Sequence, residues 1–196
     1  GGFEKVGFAG YNYDDISGLS GSANTISANT IWNLPVNIDG IGGSYDFSTV
    51  GVDASASDGI VALQGRSTAN SITGSDNDEF INGKDGGNTL NGGAGDDTIR
   101  GGSGNDLIDG GDDTDLFDAS NSTAGVFVDL DSGISFGGVE LGFDNLSNIE
   151  GVIGSSGLDI LNGDAGENIF VLSASNDQID GRGADDLIDG SQLANA

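Results

Sequence analysis

From Leu63 onwards a large apolar residue falls at every ninth position: Leu63, Ile72, Ile81, Leu90, Ile99, Ile108 and Phe117. After a gap the same beat returns at Leu161, Phe170, Ile179 and Ile188. The neighbours of each beat are mostly polar, so each marks a short strand with one side chain turned inward. Glycine, aspartate and asparagine fill the intervals and predict tight turns. No stretch holds a helical period, and almost no helix is expected. Between the runs, Val126–Leu130 (VFVDL) alternates like a longer strand, followed by a GIS turn region and then DNLSNIEGVIG.

A nine-residue unit with one inward side chain has no core of its own and folds only by stacking on its neighbours. The expected fold is therefore all-β, a parallel β-roll or β-solenoid. Four segments follow: residues 63–118 as a first repeat block, 119–153 as an irregular strand or wide coil, 154–196 as a second block, and 1–62 as divergent coils. Two echoes support the last assignment. FEKVG at 3–7 resembles IEGVI at 149–153, and YDFSTVGVDASASDG at 45–59 resembles the stretch 116–133, as a drifted duplicate would. Trp32 and Pro35 lie in this variant part, where Trp32 is expected to pack rather than to bind.

The most regular stretch reads GGAGDDTIR GGSGNDLID GGDDTDLFD, residues 92–118. Each nonapeptide opens with two glycines and places an aspartate sixth: Asp97, Asp106 and Asp115. Glycines let carbonyl oxygens converge in a tight loop, and the aspartate adds a carboxylate. Such an all-oxygen set suits a hard cation, calcium before zinc or copper. A flexible Gly/Asp linker explains the composition but not an Ile or Phe in strict register. Toward the N-terminus the loops degrade through GKDGGN and GSDNDE to GRSTAN, with Asn88, Glu79 and Asn70 sixth. In the second run the sixth places are Asp159, Asn168, Asp177 and Asp186. Apolar spacing thus persists further than ligand chemistry.

Charge sharpens this reading. The 196 residues carry 32 acidic and 5 basic side chains, a net charge of −27, which excludes a basic nucleic-acid footprint and attraction to anionic membranes. Carboxylates packed this densely oppose folding until a divalent ion turns repulsion into attraction. Cysteine is absent, so there is neither a disulfide framework nor a thiolate metal site. No apolar run approaches a membrane span, so membrane insertion is not expected.

The nonapeptides resemble those of the RTX (repeats-in-toxin, haemolysin-type calcium-binding) family over residues 59–118 and 150–195, a little over half the chain. The resemblance implies a right-handed roll of 18-residue turns, with calcium held between loops stacked two repeats apart. Carried over, Asp97 shares ions with Asp115 and with the Asp78/Glu79 loop, and Asp106 shares one with Asn88 and Asp85. In the second run Asp159 pairs with Asp177 and Asn168 with Asp186. Backbone carbonyls of Gly93, Gly95, Gly102 and Gly104, with Gly111 and Asp113 in the third loop, complete the shells. The resemblance further implies an extracellular or cell-surface location reached by type I secretion.

The function expected from all this is a non-catalytic, calcium-stabilised structural module of a surface layer, adhesin, matrix or filament. An accessory roll of a secreted enzyme is the second reading. With no histidine there is neither a HExxH zinc site nor a Ser-His-Asp triad, and the calcium pattern already accounts for the carboxylates. A third reading is an ice-binding or glycan-binding roll, but Thr25, Thr30, Thr89 and Thr98 do not recur at one loop position. The expected partners are calcium ions and further coils, of a parent chain or of identical subunits stacked head to tail.

Overall fold

The computed structural model describes residues 36–37, 44–46 and 61–191, less positions 66, 68, 75 and 174. The echoes at 3–7 and 47–59, the variant segment around Trp32 and Pro35, and most of the 1–62 assignment lie outside the described residues. Among the described residues there are seventeen short strands and no α-helix. Among the described residues no helix is long and apolar enough to cross a membrane.

The strands form two sheets, parallel except for an antiparallel stretch in the middle of the second, and the repeating passes of the chain alternate between them. Sheet A runs β1 (Val36–Asn37), β3 (Val61–Gln64), β5 (Glu79–Asn82), β7 (Thr98–Arg100), β9 (Leu116–Asp118), β13 (Gly151–Ile153), β15 (Ile169–Val171), β17 (Leu187–Asp189). Sheet B holds β2 (Ser44–Asp46), β4 (Ser71–Thr73), β6 (Thr89–Ala94), β8 (Leu107–Asp112), β14 (Ile160–Asn162) and β16 (Gln178–Asp180), with three further strands in its middle. Residues nine apart thus face each other across the roll, and residues eighteen apart pair side by side: Ile81 with Ile99, Ile99 with Phe117, Leu90 with Ile108.

The apolar beat is the core. Leu63, Ile72, Ile81, Leu90, Ile99, Ile108, Phe117, Leu161 and Phe170 are all buried. A three-residue strand has one central side chain pointing in, which explains why a single Ile or Leu per nonapeptide suffices to define the interior. Ile179 is half-buried and Ile188 is 54 % exposed, because β16 and β17 are the last strands of their sheets and no described strand covers them.

The stretch between the runs is built into sheet B. β10 (Val126–Asp129), β11 (Ile134–Gly137) and β12 (Gly142–Ser147) form an antiparallel meander. Its order is reversed relative to the chain: β12, the last made, lies parallel to β8, and β10, the first, lies parallel to β14. Ile134 and Ser135, expected in a turn, instead open β11, while the turn itself falls before them at Gly133 (φ 66°). Sheet A has no counterpart, for β9 pairs directly with β13. Val126, Val128, Leu141 and Leu146 fill the interior beneath the meander. On its outer side Phe127 and Phe136 stack at 4.7 Å, and Phe136 and Phe143 are about half exposed.

Candidate metal centre

The loops that join the sheets stack eighteen residues apart in two columns, one along each edge of the roll. The loops ending at Glu79, Asp97 and Asp115 lie on one edge, and those ending at Asn70, Asn88 and Asp106 on the other. In the three regular loops the second and fourth places take positive φ: Gly93 at 117° and Gly95 at 103°, likewise Gly102, Gly104 and Gly111, and Asp113 at 81°. Glycine adopts this region without steric cost, whereas Asp113 is strained there.

The sixth-place side chains point inward. One carboxylate oxygen of Asp97, Asp106, Asp115, Asp177 and Asp186 accepts the backbone N–H of the sixth residue one turn earlier. Glu79 N–H donates to Asp97 Oδ1 at 2.8 Å, Asp97 N–H to Asp115 Oδ1 at 2.8 Å, and Asn88 N–H to Asp106 Oδ1 at 2.7 Å. The second run repeats the contact from Asp159 N–H to Asp177 Oδ1 and from Asn168 N–H to Asp186 Oδ1, each at 3.0 Å. These pairs join the residues that the resemblance couples.

The second oxygen carries the functional argument. Oδ2 of Asp97, Asp106, Asp115 and Asp177 is buried with no hydrogen-bond partner. A buried polar atom left unpaired costs about 1–3 kcal/mol, and more when it is charged. The surroundings show why the first place is glycine at Gly92 and Gly110. A Cβ on Gly92 would lie 2.1 Å from Asp97 Oδ2 and 2.3 Å from the Gly110 carbonyl oxygen. The absent side chain leaves a cradle in which a carboxylate and a carbonyl from the next turn face the same space. Burial pushes the Asp97 carboxyl up to about 8, further raised by Glu79, Asp115 and Asp78 nearby. Burial likewise raises Asp106, and it lifts Asp115 to about 6 with help from Glu150, Asp96 and Asp113. Acidic groups held this far from their usual range require a proton or a cation. Among the described residues no three acidic side chains converge on one point, so a bound ion here draws its shell largely from carbonyls, which fits calcium.

The sixth-place asparagines solve the same problem differently. Asn70 Nδ2 donates to the Gly83 carbonyl at 3.3 Å, and Asn88 Nδ2 donates to that of Gly101 at 3.4 Å. An amide hydrogen there supplies the positive end that the carboxylate loops lack. Asn168 Nδ2 turns to Glu150 O and Asp164 Oδ1. Asp159 is also satisfied: Val126 N–H donates to Oδ1 at 2.9 Å and Ser155 N–H to Oδ2 at 2.8 Å. Asp78, Asp85 and Asp113 stand outside the buried columns, exposed, and accept from Asp96 N–H, Ser103 Oγ–H and Gly95 N–H respectively. Glu79 is buried in the column with Oε2 turned toward Gly74, and Asp186 is half-buried.

Two column members escaped the sequence reading. Asp144, fully buried on β12, accepts Asp106 N–H at 3.0 Å on Oδ1 and the Ser135 hydroxyl at 2.8 Å on Oδ2. Burial raises it to about 7. Nothing in its spacing marks it, because the meander breaks the beat. Glu150 accepts Asp115 N–H at 2.9 Å. It lies nine residues before Asp159, so extending the second run by one step finds it.

Residues 62–90, 82–117, 152–173 and 163–192 match, as four copies, the family model described as the RTX calcium-binding nonapeptide repeat. No curated protein matches the chain.

Proposed function

We propose that this chain, which belongs over residues 62–117 and 152–192 to the RTX calcium-binding nonapeptide-repeat family, is a calcium-stabilised structural module of an exported, extracellular or cell-surface protein. The repeats are calcium-binding. The observation that carries the structural role is that the orphaned oxygens of Asp97, Asp106, Asp115 and Asp177 lie inside the coil stack rather than in a cleft. An ion there ties one turn of backbone to the next, so its chemistry is cohesion. Asp97, Asp115 and their counterparts supply charge, the loop carbonyls supply neutral donors, and the bound ion supplies the electrostatic attraction that closes the stack.

This reading fits export. Where calcium is scarce the carboxylates repel and the chain stays open; where calcium is abundant the roll closes. The test is circular dichroism of the chain in chelator and in millimolar calcium. Loss of most β signal in chelator, with recovery in calcium but little in magnesium, is the expected outcome. A spectrum indifferent to exhaustive calcium removal refutes it.

A further inference from the structure

The family match breaks off at residue 117 and resumes at 152, as though the cation-binding column were interrupted by the meander. On one edge it is. There Asp144 takes a hydroxyl from Ser135 and Asp159 takes an N–H from Ser155, so serines complete both carboxylates. The other edge differs. Asp115 is fully buried, its Oδ1 accepts Asp97 N–H, and its Oδ2 has no partner. A Cβ on Gly110 would lie 2.5 Å from that Oδ2 and 1.9 Å from the Asn148 carbonyl oxygen. This is the cradle seen at Gly92, with Asn148 standing where the next nonapeptide would place its first glycine.

The connection that supplies it is short. In register, Ser147 pairs with Asp109 and Gly151 with Leu116, so Asn148, Ile149 and Glu150 take the place of the six residues from Gly110 to Asp115. Asn148 has φ 50°, a positive value that an asparagine tolerates better than most residues, and its side chain is tied to Asp109 Oδ1 at 2.7 Å. Glu150 is at the sixth place and takes up Asp115 N–H, while the N–H groups of Glu150 and Gly151 both donate to Asp115 O at 3.0 Å. The short loop therefore reproduces the sixth-place contact, the facing carbonyl and the orphaned oxygen without a GGxGxD sequence.

We propose that Asp115, Glu150 and the Asn148 carbonyl form a calcium site outside the nonapeptide pattern, which staples the first repeat block to the second across the meander. The proposal rests on the calcium reading above and adds one site to it. Asp115 Oδ2 and the Asn148 carbonyl supply donors, and Glu150 supplies a second negative charge beside Asp115. The ion column of the first block then runs on through Asp115 to Glu150 at the head of β13, where the Asn168 amide takes over, while the opposite edge is closed by serine at the meander.

The experiment counts calcium bound per chain by equilibrium dialysis and follows amide hydrogen exchange with and without calcium, in wild type, Glu150→Gln, Asp115→Asn and, as control, Asp106→Asn. Glu150→Gln is expected to bind one ion fewer and to lose the calcium-dependent protection of residues 148–153, while that of 92–106 persists. Asp115→Asn is expected to lose one ion yet stay folded, because its amide can donate to Asn148 O as Asn70 and Asn88 do to Gly83 and Gly101. Asp106→Asn is expected to lose one ion from the opposite edge and leave 148–153 protected. An unchanged count in Glu150→Gln, or undiminished protection of 148–153, overturns the proposal while leaving the calcium reading intact. A wild type that binds no calcium overturns both.

Discussion

Acid should partly replace calcium. The perturbation is a pH titration of the chain in excess chelator, from 8 down to 5. In the folded roll the Asp97, Asp144 and Asp115 carboxyls are raised to about 8, 7 and 6, chiefly by burial. In the unfolded chain each returns to its ordinary value near 3.8. The folded state therefore binds more protons across this window, and the contribution of these groups to stability rises as pH falls. It is fully present below the unfolded value and is lost as pH climbs through the folded one. At about 1.4 kcal/mol per unit, the gain from pH 8 to 5 is roughly 4 kcal/mol for Asp97, 3 for Asp144 and 1 for Asp115. A shift of this order is comparable with the whole stability of a small domain. The assay is far-ultraviolet circular dichroism with urea titration at each pH. The metal-free chain should gain β signal on acidification. In saturating calcium the trend should reverse, since protons and calcium compete for the same oxygens and the calcium midpoint rises as pH falls. Metal-free β structure that declines steadily from pH 8 to 5 would refute the placement of these carboxylates inside the roll.

Three substitutions test separate parts of the geometry. Asp106→Ala should raise the calcium midpoint for folding severalfold, whereas Asn70→Ala should change it little, because only Asp106 has an orphaned oxygen while Asn70 already serves the Gly83 carbonyl; calcium titration followed by circular dichroism reads both. Gly92→Ala places a carbon against Asp97 Oδ2 and Gly110 O and should cost about 1–3 kcal/mol in urea unfolding with calcium. The control Gly166→Ala, whose nearest neighbour is Asp164 Oδ1 at 3.3 Å, should cost far less. Ser135→Ala removes the only described donor to Asp144 Oδ2 and should cost about 1–3 kcal/mol in urea unfolding with calcium while leaving the number of bound ions unchanged, since no ion completes that carboxylate.

What the sequence made legible follows from what is local. The interior of a roll built from three-residue strands is set by one side chain per pass, so the beat from Leu63 to Phe117 translated directly into the core. The sixth-place aspartates were legible because loop and strand lie within one nonapeptide. The order of the meander was not, because pairing β10 with β14 and β12 with β8 depends on contacts across more than thirty residues. Ser135 and Ser155 carried no signal, since a serine near an aspartate is ordinary in a polar loop until the fold aims its hydroxyl or its N–H. The first-place glycines read as turn formers, yet Gly92 and Gly110 are not at positive φ; they are required by what lies opposite them. Glu150 was one step of the beat away and was hidden by the absence of a glycine pair before it.

The meander has a mechanical consequence. Between β8 and β14 sheet B carries three strands, whereas an uninterrupted roll would carry one, and sheet A opposite passes straight from β9 to β13. Strands spaced about 4.8 Å apart make one wall longer than the other by roughly 10 Å. Two walls of unequal length, joined at every pass, cannot stay straight. The stack must curve toward sheet A at this point, as a masonry arch turns where its stones are wider on the outer side. Over the described residues the roll is therefore not uniform: the meander is a wedge set between the two repeat blocks. In any longer assembly the placing of such wedges, rather than the number of repeats, would set the path that the solenoid follows.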